Sequence, residues 1–303
     1  KRTMSDATNN LIMVCGASRS GTTMLDLMLG SSDSAFSCGE IYALFRPYRT
    51  HHFNPDCCCG AKPCLVWSKL GKLNESEFHA AALAQTGIHH VVDSSKDLNW
   101  VLDSNHWASH QDVPVKNVLL WKQPIDLAYS HWKRGRPIDY YRRAFLNYHE
   151  RFLDLRLPFV TIGFEELVDA PEKILKKVCS YTQVEWHEGQ EEFWQKQHHH
   201  LFGSAGTFKQ VNTGDSKIRS KEDFPADFLA AWGKTAAAQG HDERLNDVIS
   251  ALGAADIVLG TPANPNAKLR YSGPAKPFWY YHHALKYMYQ KRFPVQLSSA
   301  EST

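Results

Sequence analysis

The chain has 303 residues, of which 43% are hydrophobic and 22% charged, and its formal net charge is +2. This composition is typical of a soluble globular protein with one large α/β domain or two small ones. The small net charge predicts no nucleic-acid partner, so positive charge has to be sought locally. No segment approaches the ~18 apolar residues of a transmembrane helix, and the first residues, KRTMSDATNN, lack a signal-peptide core. We therefore expect a soluble, cytoplasmic protein without a transmembrane segment, with an N-terminal anchor removed from a longer chain as the alternative.

Short apolar segments alternate with helix-like segments along most of the chain. Strands are predicted for NLIMVCG at 10–16, IHHVVDSSK at 88–96, VKNVLLW at 115–121 and the segment around 159–162. Helices are predicted over 22–29, 75–86, 124–134, 141–156, 171–181, 224–239 and 242–252. Because this alternation produces parallel sheets, the predicted fold class is α/β, with a central parallel sheet flanked by helices in three layers. Ligands are expected beyond the carboxyl ends of the strands.

The C-terminal third has a different character. Residues 198–223 are predicted to form a long polar loop, in which the histidine run at 198–200 is an exposed feature because three adjacent side chains do not converge on one ion. Residues 261–303 read as a linker followed by an aromatic, basic helix that packs on the domain or on a partner subunit, with membrane-surface binding as the alternative. We therefore expect a main domain over 1–260, and a homodimer is one expectation for the helix.

The cysteines form one cluster, CCCGAKPC at 57–64, within a total of seven. An odd number argues against a complete disulfide framework. Two cysteine pairs at zinc-ribbon spacing are absent, so a structural loop with reduced thiols is the favoured interpretation. A local disulfide and a zinc site that also uses His51 and His52 stay as alternatives.

The segment VCGASRSGTTMLDLML joins the first predicted strand to the first predicted helix. Its Gly/Ser/Thr-rich turn lets backbone N–H groups converge on an anion at a helix N-terminus, as in a phosphate cradle. Gly16 and Gly21 have the spacing of the nucleotide-binding pattern G-x-x-x-x-G-K-[ST], but Thr22 replaces its lysine and the nearby cation is Arg19. A small-molecule kinase that uses ATP and magnesium needs that lysine, and its second carboxylate would be Asp93. The pattern favours another anionic ligand, with the kinase as the alternative.

Two segments together resemble the PAPS-dependent sulfotransferases. SRSGTTML is similar to that family's 5′-phosphosulfate loop. LLWKQPIDLAYSHWKR is similar to its 3′-phosphate element, in which a cation at a strand end is followed by a proline and a serine. These enzymes use 3′-phosphoadenosine 5′-phosphosulfate (PAPS) on a P-loop-like scaffold without a metal. The resemblance extends over residues 10–235, is closest to the bacterial and tyrosylprotein types, and implies PAPS as co-substrate and no metal ligands.

The resemblance also assigns the residues that bind PAPS. Those of the 5′-phosphosulfate loop are Arg19, Ser20, Gly21, Thr22 and Thr23. Those of the 3′-phosphate site are Lys122, Ser130, Arg134 and, by a looser match, Arg219.

Catalysis is assigned by the same resemblance to Glu40, in the segment CGE, as the base that removes the proton of an acceptor hydroxyl. Arg19 and Lys96 would stabilise charge on the departing phosphate. His106 or His110 are the alternative bases. The acceptor stays open among carbohydrates, lipids, small molecules and tyrosine, and a non-catalytic nucleotide-binding relative is a further alternative.

The chain departs from the family pattern in three places. Lys122 replaces the usual arginine and offers a point charge in place of a bidentate fork. Phe164 stands where relatives often carry a tyrosine, so one hydroxyl for the phosphate is missing. No histidine accompanies the strand end at 93–96, which favours a glutamate as the base.

Overall fold

A sheet of five parallel strands organises the fold. The computed structural model describes residues 9–70, 73–214, 224–239 and 242–254. The strands are β1 (Asn10–Cys15), β2 (Ala35–Gly39), β3 (His90–Asp93), β4 (Val115–Trp121) and β5 (Phe159–Gly163). Their order across the sheet is β2-β3-β1-β4-β5, and every neighbouring pair is parallel. The predicted α/β class with a central parallel sheet is confirmed.

Helices connect the strands and cover the sheet. In the described ranges they are α1 (Thr22–Leu29), α2 (Tyr42–Phe45), α3 (Leu65–Leu70), α4 (Phe78–Thr86), α5 (Leu98–His110), α6 (Pro124–Trp132), α7 (Tyr140–Asp154), α8 (Phe164–Asp169), α9 (Pro171–Thr182), α10 (Ala205–Thr213), α11 (Ala226–Gln239) and α12 (Glu243–Ala254). Two 3₁₀ turns, Thr50–Phe53 and Phe193–Gln195, complete the regular structure of these ranges.

The central strand β1 explains why the sheet is buried on both faces. Its six residues are all buried. Because side chains alternate along a strand, Leu11 and Met13 enter one hydrophobic cluster with Trp100 of α5, whereas Ile12 enters the other with Leu25 of α1. The sheet is therefore the middle of three layers.

The carboxyl ends of the strands meet at one edge of the sheet. β1 pairs with β3 through Ile12 and Val92 and with β4 through Cys15 and Leu119, so the three strands end close together. The segments that follow them carry the sequence motifs. Motifs that are far apart in the chain therefore face one region of the surface, where ligands of such sheets bind.

Several elements of the described ranges were not predicted, namely β2, α2, α3, α5, α8, α10 and the two 3₁₀ turns. β2 was missed because its sequence AFSCG is short and contains serine and glycine, although all five residues are buried. α5 was missed because polar residues interrupt its apolar pattern; it begins at a cap in which the Asp97 carboxylate accepts from the N–H groups of Asn99 and Trp100. The prediction of a loop over 198–223 is wrong for α10.

Some predictions lie outside the described residues. They include Arg219 and the linker and helix over 261–303. Among the described helices, none combines the length and apolar character that crossing a bilayer requires.

Candidate functional site

The loop between β1 and α1 is shaped by two glycines. A Cβ atom on Gly16 would lie 2.4 Å from the carbonyl oxygen of Leu120, and one on Gly21 would lie 2.5 Å from the ring of Phe164. Gly21 also has φ of +97°, a left-handed conformation that favours glycine. The N–H of Gly16 donates to the hydroxyl of Tyr148 at 2.9 Å. Among the described residues no side chain caps α1, so the positive end of the helix faces the loop.

Arg19 and Ser20 have unmet hydrogen-bonding capacity in this loop. The buried Nε of Arg19 and the buried Oγ of Ser20 have no hydrogen-bond partner in the part of the chain that the structure describes. Burial and the nearby charge of Arg134 lower the pKa of Arg19, while Glu40 opposes this effect. Two cations and unpartnered donors beside a helix N-terminus fit an anionic group.

One cleft of about 1390 Å³ collects almost all of the predicted site residues. Those that line it are Arg19, Gly21, Thr22, Thr23, Glu40, Lys96, Lys122, Ser130 and Arg134. Ser20 is buried behind the lining. Lysine and arginine side chains outnumber carboxylates in the lining, although the whole chain is nearly neutral. The structure therefore brings the two proposed phosphate elements and the proposed base together in a positively charged cleft.

Lys122 is held at the end of β4 by an aromatic ring. It is only 9% exposed, and its Nζ lies 3.6 Å from the ring centroid of Phe164. The same ring is the one that a side chain on Gly21 would strike. Phe164 therefore contributes a cation–π contact at the position where a tyrosine hydroxyl was expected.

Ser130 and Arg134 reach the cleft from the C-terminal part of α6 and the turn after it. Between them, His131 is buried, and its Nε2 has no partner among the described residues. Burial and the charges of Arg19, Arg136 and Arg134 lower the pKa of His131, so it is uncharged at neutral pH. His131 was not singled out from the sequence. A signal was available, because His131 directly follows Ser130, which was assigned to the 3′-phosphate site.

Glu40 and Lys96 form an ion pair in the cleft. The Nζ of Lys96 donates to Oε1 of Glu40, and each side chain is 20% exposed. Glu40 follows β2 and Lys96 lies three residues beyond β3, and the N–H of Ser94 donates to the carbonyl oxygen of Gly39 between these strand ends. The alternative bases His106 and His110 are exposed, and neither lines the cleft.

The carboxylate of Asp93 already accepts hydrogen bonds from three neighbouring groups. It is fully buried, and its carboxylate accepts from His79 Nε2 at 2.9 Å, Trp100 Nε1 at 2.8 Å and the N–H of Ser95 at 2.8 Å. A kinase would need such a carboxylate to hold magnesium. This arrangement does not suit the kinase alternative.

The histidine run at 198–200 is not exposed as predicted. His198 is 3% exposed and His200 is fully buried. The backbone of the following residue explains this burial. The N–H of Leu201 donates to the carbonyl oxygen of Cys38, and the carbonyl oxygen of Leu201 accepts from the N–H of Glu40, both at 3.0 Å. The segment therefore extends the edge of the sheet and fixes the backbone of Glu40.

The next residues pack against the first turn of α1. The N–H of Ser204 donates to Oγ1 of Thr23 at 3.2 Å, and a Cβ on Gly203 would lie 2.9 Å from Cγ2 of Thr23. Phe202, Gly203 and Ser204 all line the cleft. Their role was not predicted because the contact joins segments far apart in the chain.

Comparison with known proteins gives structural matches only. No family model and no curated protein sequence matches the chain. One similar solved structure is the sulfotransferase domain from the curacin biosynthetic pathway, at 13% identity and a TM-score of 0.48, covering 75% of this chain and 98% of that one. Another is the sulfotransferase domain of the Synechococcus PCC 7002 olefin synthase, at 15% identity and a TM-score of 0.44, covering 78% and 98%.

A third similar structure is retinol dehydratase in complex with androsterone and the inactive cofactor PAP, at 10% identity and a TM-score of 0.41, covering 79% of this chain and 80% of that one. The solved structures that this chain is similar to thus include sulfotransferases, the family whose motifs its sequence resembles.

Proposed function

We propose that the protein is a PAPS-dependent sulfotransferase that moves a sulfuryl group to a hydroxyl of an acceptor. The observation that carries the proposal is the one cleft onto which three features open: the loop before α1, the Lys122–Arg134 element and the Glu40–Lys96 pair. Each feature has a separate task in such a reaction. The first two bind the anionic ends of the donor, and the third serves the acceptor.

PAPS supplies an activated sulfuryl group when it is bound. Arg19, the hydroxyls of Thr22 and Thr23, and the helix N-terminus would hold the 5′-phosphosulfate. Lys122 with Ser130 and Arg134 would hold the 3′-phosphate. The fit rests on the unpartnered Nε of Arg19 and on the excess of cations in the cleft. The proposed reaction requires no metal, because these cations and the helix end supply the positive charge.

Glu40 would take the proton of the acceptor hydroxyl while the acceptor oxygen forms its bond to sulfur. The bond between sulfur and the phosphate oxygen breaks in the same step, and that oxygen leaves with the electron pair as part of PAP. Lys96 and Arg19 would stabilise the charge that develops on it. In the unliganded arrangement the Nζ of Lys96 donates to Oε1 of Glu40 and orients the carboxylate before the acceptor binds.

The acceptor side of the cleft has an aromatic wall near Glu40. The ring centroids of Tyr48 and His52 lie 4.3 Å apart, and those of His52 and Phe202 lie 5.1 Å apart. Burial and the charges of His51 and Arg49 lower the pKa of His52 to about 4, so its ring is neutral. Such a wall suits an acceptor whose hydroxyl is attached to a ring that can pack against it.

The test is transfer of radiolabelled sulfate from PAPS to a panel of acceptors that includes phenols, tyrosine peptides, sugars and aliphatic alcohols. We expect label on at least one ring-bearing acceptor and loss of transfer in Glu40→Gln. PAP binding without transfer to any acceptor would favour the non-catalytic relative. Binding of ATP–Mg with no binding of PAP would overturn the proposal in favour of the kinase.

A further inference from the structure

Four potential metal ligands meet beside the sheet, outside the proposed active site. One ligand atom from each of Cys57, Cys59, Cys64 and His199 lies within 4.8 Å of every other. The Nδ1 of His199 is 3.3 Å from the Sγ of Cys64 and 3.8 Å from that of Cys57. None of the four lines the cleft. The proposed sulfuryl transfer gives this cluster no task.

The spacing of these atoms suits a tetrahedral ion. With Zn–S near 2.3 Å and Zn–N near 2.0–2.1 Å, tetrahedral ligand atoms lie ~3.6–3.8 Å apart. A disulfide would instead bring two sulfur atoms to about 2.05 Å. All seven cysteines lie in the described ranges, and all are free. The cluster is therefore arranged for a shared ion and not for a disulfide.

We propose that Cys57, Cys59, Cys64 and His199 bind one zinc ion in a closed structural site. Three thiolates and one neutral imidazole complete a common zinc coordination set and leave no open position for a substrate or water. Binding would release the three thiol protons, and the resulting site would carry one negative charge.

A hydrogen bond fixes the backbone of His199 beside the cysteine loop. The indole Nε1–H of Trp67 donates to the carbonyl oxygen of His199, on a helix that begins directly after Cys64. Cys58 is excluded from the set, because its Sγ is directed to the carbonyl oxygen of His198 at 3.1 Å. The two contacts therefore hold the backbone of residues 198 and 199 against the cysteine loop.

The ion would connect two segments that are distant in sequence. Leu201 forms isolated bridges with Cys57 on one side and Gly39 on the other, and its carbonyl oxygen accepts from the N–H of Glu40. The loop at 57–64 contains no helix or strand of its own that could fix it. Zinc would therefore fasten this loop and the 199–201 segment to the sheet edge that carries Glu40.

The sequence favoured a metal-free loop because two cysteine pairs at zinc-ribbon spacing are absent. In the structure the fourth proposed ligand is His199, 135 positions beyond Cys64. His51 and His52, the histidines of the sequence-based zinc alternative, instead line the cleft. The present proposal shares the zinc ion with that alternative but assigns a different histidine.

The test measures metal in the full chain purified without chelator and without added metal. We expect one zinc per chain, and the visible absorption of tetrahedral thiolate-bound cobalt after exchange with Co²⁺. Cys59→Ser and His199→Asn should each lower metal affinity by more than ~10–100-fold, which is the cost of removing a residue that only hydrogen-bonds to a metal ligand. Cys58→Ser is the matched control and should retain full metal content, because a serine hydroxyl can still donate to the backbone carbonyl oxygen of His198.

Metal-free wild-type protein that is folded and gives no cobalt–thiolate spectrum would overturn the proposal. An intact mass that reveals a disulfide among the cluster would also overturn it, as would loss of the metal in Cys58→Ser with retention in Cys59→Ser. If Cys59→Ser does not fold, the wild-type metal content and cobalt spectrum decide. None of these readouts depends on sulfotransferase activity.

Discussion

The Nζ of Lys96 donates a hydrogen bond to Oε1 of Glu40, and the two residues follow neighbouring strands of the sheet. The pair is 56 residues apart in sequence and only 20% exposed on each side. Lys96 orients the carboxylate without using all of its hydrogen-bonding capacity, because a carboxylate has two oxygens and about four acceptor positions.

Replacing Glu40 by glutamine should lower kcat and leave PAP binding nearly unchanged. The amide keeps the shape of the side chain but cannot accept the acceptor's proton, and a positioned base contributes typically ~10²–10⁴-fold. Steady-state kinetics on a weakly acidic alcohol and calorimetric titration with PAP provide the two measurements. Near-normal turnover of Glu40→Gln would remove Glu40 as the base.

Replacing Lys122 by alanine should weaken PAP binding. Its ammonium group is nearly buried, so loss of a charge-assisted contact should cost about 1.5–3 kcal/mol, or roughly ten- to 150-fold in Kd. The matched control is Lys176→Ala, an exposed lysine on α9 that pairs with Glu172. PAP should also raise the Tm of the wild type by mass action. Equal PAP affinity in both variants would exclude Lys122 from the site.

Replacing Arg19 by alanine should damage binding and catalysis together. The side chain extends from the loop before α1 into the cleft that Arg134 and Glu40 also line, and the charges of both residues influence its pKa. We expect higher Kd for PAP and, at saturating PAP, lower kcat. A change in Kd with full kcat at saturation would restrict Arg19 to donor binding.

The sequence predicted the local parts of this site better than the pairings between them. The loop and the bounds of α1 follow from an apolar strand, two glycines and a helical pattern, all of which are local signals. The Glu40–Lys96 pair and the contact of Ser204 with Thr23 depend on strand order and on a returning segment, which no local pattern encodes. The proximity of His199 to Cys64 was missed for the same reason, because the two residues are distant in the chain.

Helix α1 contains a buried carboxyl group. Asp26 of α1 is fully buried, and burial raises its pKa from the ordinary value of 3.8 to about 8, although the nearby hydroxyl groups of Ser94 and Ser37 oppose the shift. The folded state therefore holds a proton that the unfolded state has lost between these pH values. By linkage, the contribution of Asp26 to the free energy of unfolding is full below pH 3.8 and falls as the pH rises towards 8.

Asp26→Asn imitates the protonated carboxyl group at every pH and should remove this dependence. The Tm of the variant relative to wild type should therefore rise between pH 5 and pH 8, as measured by thermal unfolding in matched buffers. The nearest ionisable neighbour, His200, lies 3.4 Å from the carboxylate through Nδ1, and burial holds its pKa well below the usual range. A Tm difference that stays constant over this interval would mean that Asp26 is ionised in the folded protein and paired with a charged His200.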